Sequence, residues 1–149
     1  MTILIVEDDT FKYSEIERFL ITNGIDQGNI HSTISVVDTV SYLNKNTPDK
    51  IILDMSLPSH QTEQGEGSPI AMPSGGVEIL MELYFLNKNY IPIIILTQFP
   101  QIQIDNNDYP IGEAAAVINE KYKFTSLTVD SFDNEEKQWQ LSTKRFLTQ

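Results

Sequence analysis

Short runs of apolar, largely β-branched residues that end abruptly at a polar side chain constrain the fold of this chain most strongly. One is Ile51-Ile52-Leu53, which is followed at once by Asp54. Residues 2–6 and 91–97 have the same character, with acids after the first run and Thr97 closing the second. Runs this short and this apolar are typical of strands that are buried on both faces of a parallel sheet.

Helix-like segments separate these strand-like runs. Residues 10–23 carry apolar side chains at helical spacing, and Asn23-Gly24 is a typical helix end. Further helical patterns cover residues 37–43, 77–89, 111–122 and the region from Asp133 onward, and weaker strand patterns cover 29–35 and 125–129. Strands that alternate with helices predict one α/β domain over residues 1–149, with a parallel sheet between two layers of helices.

Two polar stretches interrupt the alternation of strands and helices, and a further helix is predicted near the C-terminal end. Residues 59–76 are rich in Gly, Pro and polar side chains, so we expect a long structureless insert that acts as a lid or a mobile segment. Residues 98–108 are predicted to form a polar loop. Acids at 133–136 are expected to occupy the first turn of the last helix. The side chains predicted to face the sheet from this helix are Trp139, Leu141 or Ser142, and Phe146.

The charge balance limits the partners that the chain can bind. The net charge is −11, so direct binding to nucleic acid or to an anionic membrane is not expected, since both need an excess of Lys and Arg. Cysteine is absent, which excludes disulfides and thiolate metal sites. No apolar run reaches the ~20 residues of a membrane span, and the N-terminus lacks a signal-type pattern. We therefore expect a cytoplasmic protein.

The polar residues that close the apolar runs are expected to meet, because the carboxyl ends of parallel strands lie along one edge of the sheet. Glu7, Asp8 and Asp9 follow the first strand, Asp54 the third and Thr97 the fourth. Carboxylates held this close repel one another, and Mg²⁺, which prefers oxygen ligands, is their usual counter-ion.

A cation beside Asp54 would let its carboxylate attack an electrophilic phosphorus and form an acyl phosphate. The Thr97 hydroxyl could then hydrogen-bond the transferred group. The simpler interpretation is that each acid only ends a strand or caps a helix.

Three motifs together resemble the receiver domain of two-component response regulators. They are residues 3–9 (ILIVEDD), 51–58 (IILDMSLP) and 92–97 (PIIILT), in the order and approximate spacing of that family. The resemblance extends over nearly the whole chain. It implies a flavodoxin-like (CheY-like), doubly wound five-stranded sheet with strand order 2-1-3-4-5.

The resemblance also implies roles for single residues. Asp54 corresponds to the phosphoacceptor, and Thr97 to the switch hydroxyl that follows the phosphoryl group. Glu7 and Asp8 match the acidic pair of the metal site. Asp8, Asp54 and the backbone carbonyl of Ser56 match the direct Mg²⁺ ligands.

The mechanism of the family implies partners as well. A histidine kinase or phosphotransfer protein supplies the phosphoryl group, and the receiver domain catalyses its own transfer without otherwise being an enzyme. The sequence contains no output domain, so we expect the signal to pass to an unknown downstream protein or through a homodimer.

Two features depart from the family pattern. The family has a lysine at the end of strand five, but if residues 125–129 are that strand, the position is Asp130, whose charge would disfavour phosphate. A rival register makes residues 114–119 strand five and Lys121 the lysine; we disfavour it because the alanine-rich segment prefers helix. The second departure is the 59–76 insert, where His60 lies within reach of the site, although a lone loop histidine is more often only solvated.

Two functions of different classes follow. The first is a switch regulated by phosphorylation of Asp54. The second is a pseudo-receiver, a protein-interaction module that is not regulated by phosphorylation and keeps its acids for Mg²⁺ or as caps. A phosphatase that uses Asp54 as a nucleophile is more distant, since haloacid-dehalogenase-like enzymes have an acid where this chain has Ser56.

Overall fold

The computed structural model has a five-stranded parallel sheet at its centre. The structure describes residues 1–61, 70–133 and 135–149. The strands are β1 (Ile3–Val6), β2 (Ile30–Thr33), β3 (Lys50–Leu53), β4 (Leu57–Pro58), β5 (Ala71–Met72), β6 (Ile93–Thr97), β7 (Gln101–Ile104), β8 (Asn107–Pro110) and β9 (Leu127–Ser131). The central sheet has the order β2-β1-β3-β6-β9, and every neighbouring pair is parallel. When only these five strands are counted in chain order, β6 is the fourth and β9 the fifth, so the predicted order 2-1-3-4-5 is confirmed.

Helices cover both faces of this sheet, as predicted. They are α1 (Thr10–Thr22), α2 (Val36–Lys45), α3 (Gly75–Phe85), α4 (Ile111–Tyr122) and α5 (Gln138–Leu147). Side chains of successive strand residues point to opposite faces, which divides the core into two clusters. One face contains Leu4, Leu43, Ile51, Leu80, Ile93 and Ile118, and the other contains Ile3, Ile16, Ile52, Ile94, Trp139 and Phe146.

The prediction of a polar loop over residues 98–108 is wrong. Strands β7 and β8 pair as an antiparallel hairpin there, with Asp105 and Asn106 at its tip in left-handed conformations (φ 52° and 65°). Ile102 and Ile104 alternate with glutamines, so both isoleucines are buried on one face of the hairpin. Asp and Asn tolerate positive φ in two-residue hairpin turns, which is the physical reason that this polar segment folds back on itself.

The prediction of a structureless insert over residues 59–76 is wrong at its C-terminal end. Strand β5 pairs antiparallel with β4, so Ala71 lies opposite Pro58 and Met72 opposite Leu57. Helix α3 then begins at Gly75. Residues 62–69, the middle of the predicted lid, lie outside the described residues.

The start of the last helix also differs from its prediction. Helix α5 begins at Gln138, after Lys137 in a left-handed conformation (φ 53°), so the acids from Asp133 onward precede it. Asp133 Oδ1 accepts a hydrogen bond from the Glu135 amide at 2.8 Å, an aspartate turn that competes with helix. The buried face of α5 consists of Trp139, Thr143 and Phe146, whereas Leu141 is 55% exposed.

We predict that the hairpin contributes to the core. Replacing Ile104, which is 1% exposed, with alanine should lower the free energy of unfolding by about 2–4 kcal/mol, because it removes buried methyl groups and leaves a cavity. The exposed Gln101→Ala variant should stay within about 0.5 kcal/mol of the wild type. Urea denaturation measures the free energy of unfolding of both variants. An Ile104→Ala protein as stable as the Gln101→Ala control would contradict the contribution of Ile104 to the core.

Candidate functional site

Strand register brings three acids together at the carboxyl edge of the sheet. Val6 of β1 lies opposite Leu53 of β3, and the Asp54 amide donates to the Val6 carbonyl at 3.0 Å. Both strands therefore end at the same level. Carboxylate oxygens of Glu7, Asp8 and Asp54 lie within 4.8 Å of one another.

Burial makes this cluster electrostatically unusual. Glu7 is 3% exposed and Asp54 is 7% exposed, whereas Asp8 is exposed. Burial raises the pKa of Glu7 from 4.5 to about 8; the Lys12 ammonium opposes this shift and the Asp54 carboxylate adds to it. Burial, and then the charge of Asp54, also raises the pKa of Asp8.

A buried lysine from α1 enters the cluster, and the sequence interpretation missed it. Lys12 is 1% exposed, and its ammonium lies 2.9 Å from Glu7 Oε2 and 3.2 Å from Asp54 Oδ1. The ammonium also donates to the Leu96 carbonyl at 2.6 Å. The signal was helical spacing, because Lys12, Ile16 and Leu20 form the buried stripe of α1.

Asp9, the third acid after β1, is a helix cap rather than part of the cluster. Its side chain accepts a hydrogen bond from the Lys12 amide at 3.0 Å at the start of α1. Its own amide donates to Glu7 Oε1 at 3.0 Å. The simpler interpretation of these acids as caps therefore holds for Asp9, which also helps to orient Glu7.

A close backbone approach fixes the turn that carries Asp54. The Met55 amide donates to Asp54 Oδ1 at 2.9 Å, and the Gly76 amide of α3 donates to the Met55 carbonyl at 2.9 Å. A Cβ at position 76 would lie 2.7 Å from the Asp54 carbonyl oxygen, so only glycine allows α3 to pack this closely. Ser56 follows in the same turn and is partly buried.

Thr97 closes β6 at the same edge and is buried. Its hydroxyl oxygen accepts a hydrogen bond from the Phe99 amide at 3.1 Å. Thr97 and Ser56 both line a cleft of about 330 Å³ between the Asp54 turn and the β7–β8 hairpin. The complete lining is Met55, Ser56, Pro73, Thr97, Phe99, Pro100, Gln101, Gln103 and Asp108.

The two candidates for the strand-five lysine position have other contacts. Asp130 lies within β9, opposite Leu96, and its carboxylate accepts hydrogen bonds from the Ser142 hydroxyl of α5 and the Ser131 amide. Its carboxylate faces α5 and is not a member of the acidic cluster, and the expected effect of its charge on phosphate binding stays a prediction. Lys121 lies in helix α4 and pairs with Asp105, so the rival register is wrong.

His60 is exposed and its Nδ1 shares a hydrogen bond of 2.8 Å with the Ser59 hydroxyl. The Ser59 carbonyl accepts from the Val37 amide at 2.9 Å, which ties this end of the insert to the start of α2. Among the contacts of the described residues, none joins His60 to the acidic cluster.

The chemistry of the cluster fits a hard divalent cation. Glu7, Asp8 and Asp54 offer carboxylate oxygens, the ligands that Mg²⁺ and Mn²⁺ prefer. Three carboxylates against the one ammonium of Lys12 leave two negative charges when all are ionised, which a divalent cation would balance. Glu7, Asp8 and Asp54 would hold it, and the Ser56 carbonyl lies in the adjacent turn.

Comparison with known proteins identifies the family. The chain is 43% identical over 149 residues to the Detocs response regulatory protein DtcB of Vibrio alginolyticus, covering 97% of this chain and 98% of that protein. It is 21% identical over 145 residues to the uncharacterized protein y4jR of Sinorhizobium fredii, covering 97% and 95%. No family model matches the sequence.

Solved structures agree on the fold. The Mn²⁺-bound form of the response regulator Rcp1 superposes with a TM-score of 0.64 at 18% identity, covering 99% of this chain and 91% of that one. The receiver domain of the Francisella response regulator 1452 gives 0.63 at 18% identity, covering 99% and 96%. The chain belongs to the response regulators and has the fold of their receiver domain. In the described part of the chain, no helix is both long enough and apolar enough to span a membrane.

The raised pKa of Glu7 predicts a pH dependence of stability in the metal-free protein. Because this carboxyl has a pKa of about 8 when folded and 4.5 ordinarily, the folded state binds more protons between these values. The free energy of unfolding should therefore fall as the pH rises from about 4.5 through about 8. Urea denaturation in EDTA across this range measures the slope. Glu7→Gln should flatten this dependence of the unfolding free energy on pH. Parallel curves for variant and wild type would contradict the raised pKa of Glu7.

Proposed function

We propose that this protein is a receiver domain in two-component signalling that accepts a phosphoryl group on Asp54 with the help of Mg²⁺. One observation carries the proposal: the buried Asp54 carboxylate lies beside two further carboxylates and one ammonium at the carboxyl edge of the sheet. Such a site offers a nucleophile, cation ligands and a positive charge within a few ångströms.

The proposed reaction is an in-line displacement at phosphorus. A carboxylate oxygen of Asp54 forms the new P–O bond while the P–N bond of a donor phosphohistidine breaks, and the imidazole of the donor leaves. Mg²⁺, when bound, neutralises negative charge on the transferring group. Glu7, Asp8, Asp54 and the Ser56 carbonyl are the proposed metal residues.

Thr97 is the proposed switch hydroxyl. Its oxygen accepts from the Phe99 amide, which leaves the hydroxyl hydrogen for donation to a phosphoryl oxygen. A Thr97 side chain drawn toward Asp54 would change the cleft that it lines with Ser56 and Phe99. This movement is the proposed route from the chemistry to a surface that another protein can read.

The proposed partners follow from the family. A histidine kinase or phosphotransfer protein supplies the phosphoryl group, and a downstream protein, with or without a homodimer, reads the phosphorylated state. The proposed location is the cytoplasm. The catalysis is confined to the protein's own phosphorylation.

A pseudo-receiver is the second candidate function, and the contacts of Lys12 favour it. The ammonium already pairs with both Glu7 and Asp54, so the fold partly neutralises its acids without a bound cation. In that case the site is a structural ion-pair network, and Asp54→Asn leaves partner binding unchanged.

Phosphodonor labelling separates the two candidates. Incubation with acetyl phosphate and Mg²⁺ should add the mass of one phosphoryl group to the wild type, and Asp54→Asn should abolish this addition because it removes the nucleophile. Intact-protein mass spectrometry gives the readout. Asp26→Asn, at a surface 3-10 helix cap, is the matched control and should label like the wild type.

Two results would contradict phosphorylation at Asp54. One is labelling of Asp54→Asn at the wild-type rate. The other is a wild type that is folded and binds Mg²⁺ but accepts no phosphoryl group from acetyl phosphate or from any histidine kinase tested, which would favour the pseudo-receiver.

Asp8 provides a separate prediction about the metal. Asp8→Asn removes one anionic ligand from the cluster, so Mg²⁺ should bind at least about tenfold more weakly, since even outer-shell changes have effects of this size. Isothermal titration calorimetry measures the affinity. Unchanged Mg²⁺ binding would remove Asp8 from the metal site.

A further inference from the structure

We propose that Lys12, supplied by the first helix, is the cation that binds the phosphoryl group on Asp54. The inference rests on the proposed phosphorylation of Asp54 and adds a residue from a different element of the fold. In the family, the lysine that binds the phosphoryl group belongs to the fifth strand of the sheet, whereas Lys12 belongs to α1.

The Lys12 ammonium lies next to the carboxylate that would be phosphorylated. Lys12 Nζ lies 3.2 Å from Asp54 Oδ1, so a group attached to that carboxylate would be within its reach. Phosphorylation replaces a carboxylate charge of about −1 by a phosphoryl charge nearer −2, which increases the attraction to a nearby ammonium. The lysine side chain has a flexible four-carbon stem, so the ammonium can move a short distance with the negative charge that it binds.

The ammonium also lies beside the end of β9, although the backbone of Lys12 lies in α1. Lys12 Nζ is 5.6 Å from the centre of the Phe132 ring, and Phe132 directly follows Ser131, the last residue of β9. The Phe132 amide in turn donates to the Thr97 carbonyl at 2.8 Å. The side chain of Lys12 therefore places a positive charge among Asp54, the end of β6 and the end of β9.

Strand β9 offers no cation of its own. Its residues are Leu-Thr-Val-Asp-Ser, and Asp130 is turned toward Ser142 of α5. Lys121 is held by Asp105 at the tip of the hairpin. Among the described residues, the one salt bridge to Asp54 comes from Lys12.

A purely structural role for Lys12 makes a different prediction. If Lys12 is only a counter-ion, it stabilises the Glu7–Asp54 pair but does not increase the affinity of the site for a phosphoryl group. The two roles separate when the binding of a phosphoryl analogue is compared with the binding of Mg²⁺ alone.

Lys12→Met is the test, because methionine keeps an unbranched stem and removes the charge. The probe is beryllofluoride in the presence of Mg²⁺, which attaches to aspartate carboxylates as an analogue of the acyl phosphate. Its affinity should fall at least about tenfold, which equals about 1.4 kcal/mol. The affinity for Mg²⁺ alone should stay equal or rise, since a positive charge beside the metal ligands is removed. Lys121→Met, a lysine outside the cluster, should behave like the wild type.

Isothermal titration calorimetry distinguishes the outcomes. A Lys12→Met protein that binds both Mg²⁺ and beryllofluoride like the wild type overturns the role of Lys12 but leaves phosphorylation of Asp54 standing. A wild type that binds Mg²⁺ but not beryllofluoride overturns both proposals.

A measurement on the wild type keeps the test valid if Lys12→Met does not fold. With selective ¹⁵N labelling of lysine, the Lys12 Nζ resonance should shift when beryllofluoride is added to the Mg²⁺-saturated protein. An unchanged resonance, with beryllofluoride bound, would overturn the proposal.

Discussion

The ion pairs of the buried Lys12 ammonium with Glu7 and Asp54 are the interactions on which the site depends. The register of β1 and β3 forces these two acids together in a region where each is less than one tenth exposed. Two carboxylates in such a place repel strongly unless a positive charge lies between them. Lys12 supplies that charge from α1 and leaves enough negative charge for a divalent cation at Asp8 and Asp54.

The same contacts connect the site to the rest of the fold. Lys12 reaches the Leu96 carbonyl, one residue before Thr97, so the first helix is tied to the end of β6. Gly76 holds the start of α3 against the turn after Asp54, and the hairpin β7–β8 forms the opposite wall of the cleft beside Thr97. Several elements of the fold therefore meet around Asp54 at one edge of the sheet, which is where the proposed change of charge would occur.

The sequence revealed the parts of the site that the backbone determines. Apolar runs ending at Glu7, Asp54 and Thr97 fix which side chains meet, because parallel strands share one carboxyl edge. Lys12 was missed because its helical spacing with Ile16 and Leu20 indicates only that it shares the buried face of α1, and a lysine there becomes a site candidate only once its carboxylate partners are known. The hairpin was missed because the alternation of Gln101 to Ile104 covers only four residues and its neighbours are polar. The start of α5 depends on a left-handed residue, Lys137, that composition does not reveal.

A crystal structure of the protein with Mg²⁺ and beryllofluoride tests the central claim most directly. We expect the beryllium group on the Asp54 carboxylate, the Lys12 ammonium in hydrogen-bond contact with a fluorine, and the cation bound by the acidic cluster. Crystals grown at saturating beryllofluoride that show an unmodified Asp54, with Lys12 still paired to Glu7 and Asp54, would contradict it.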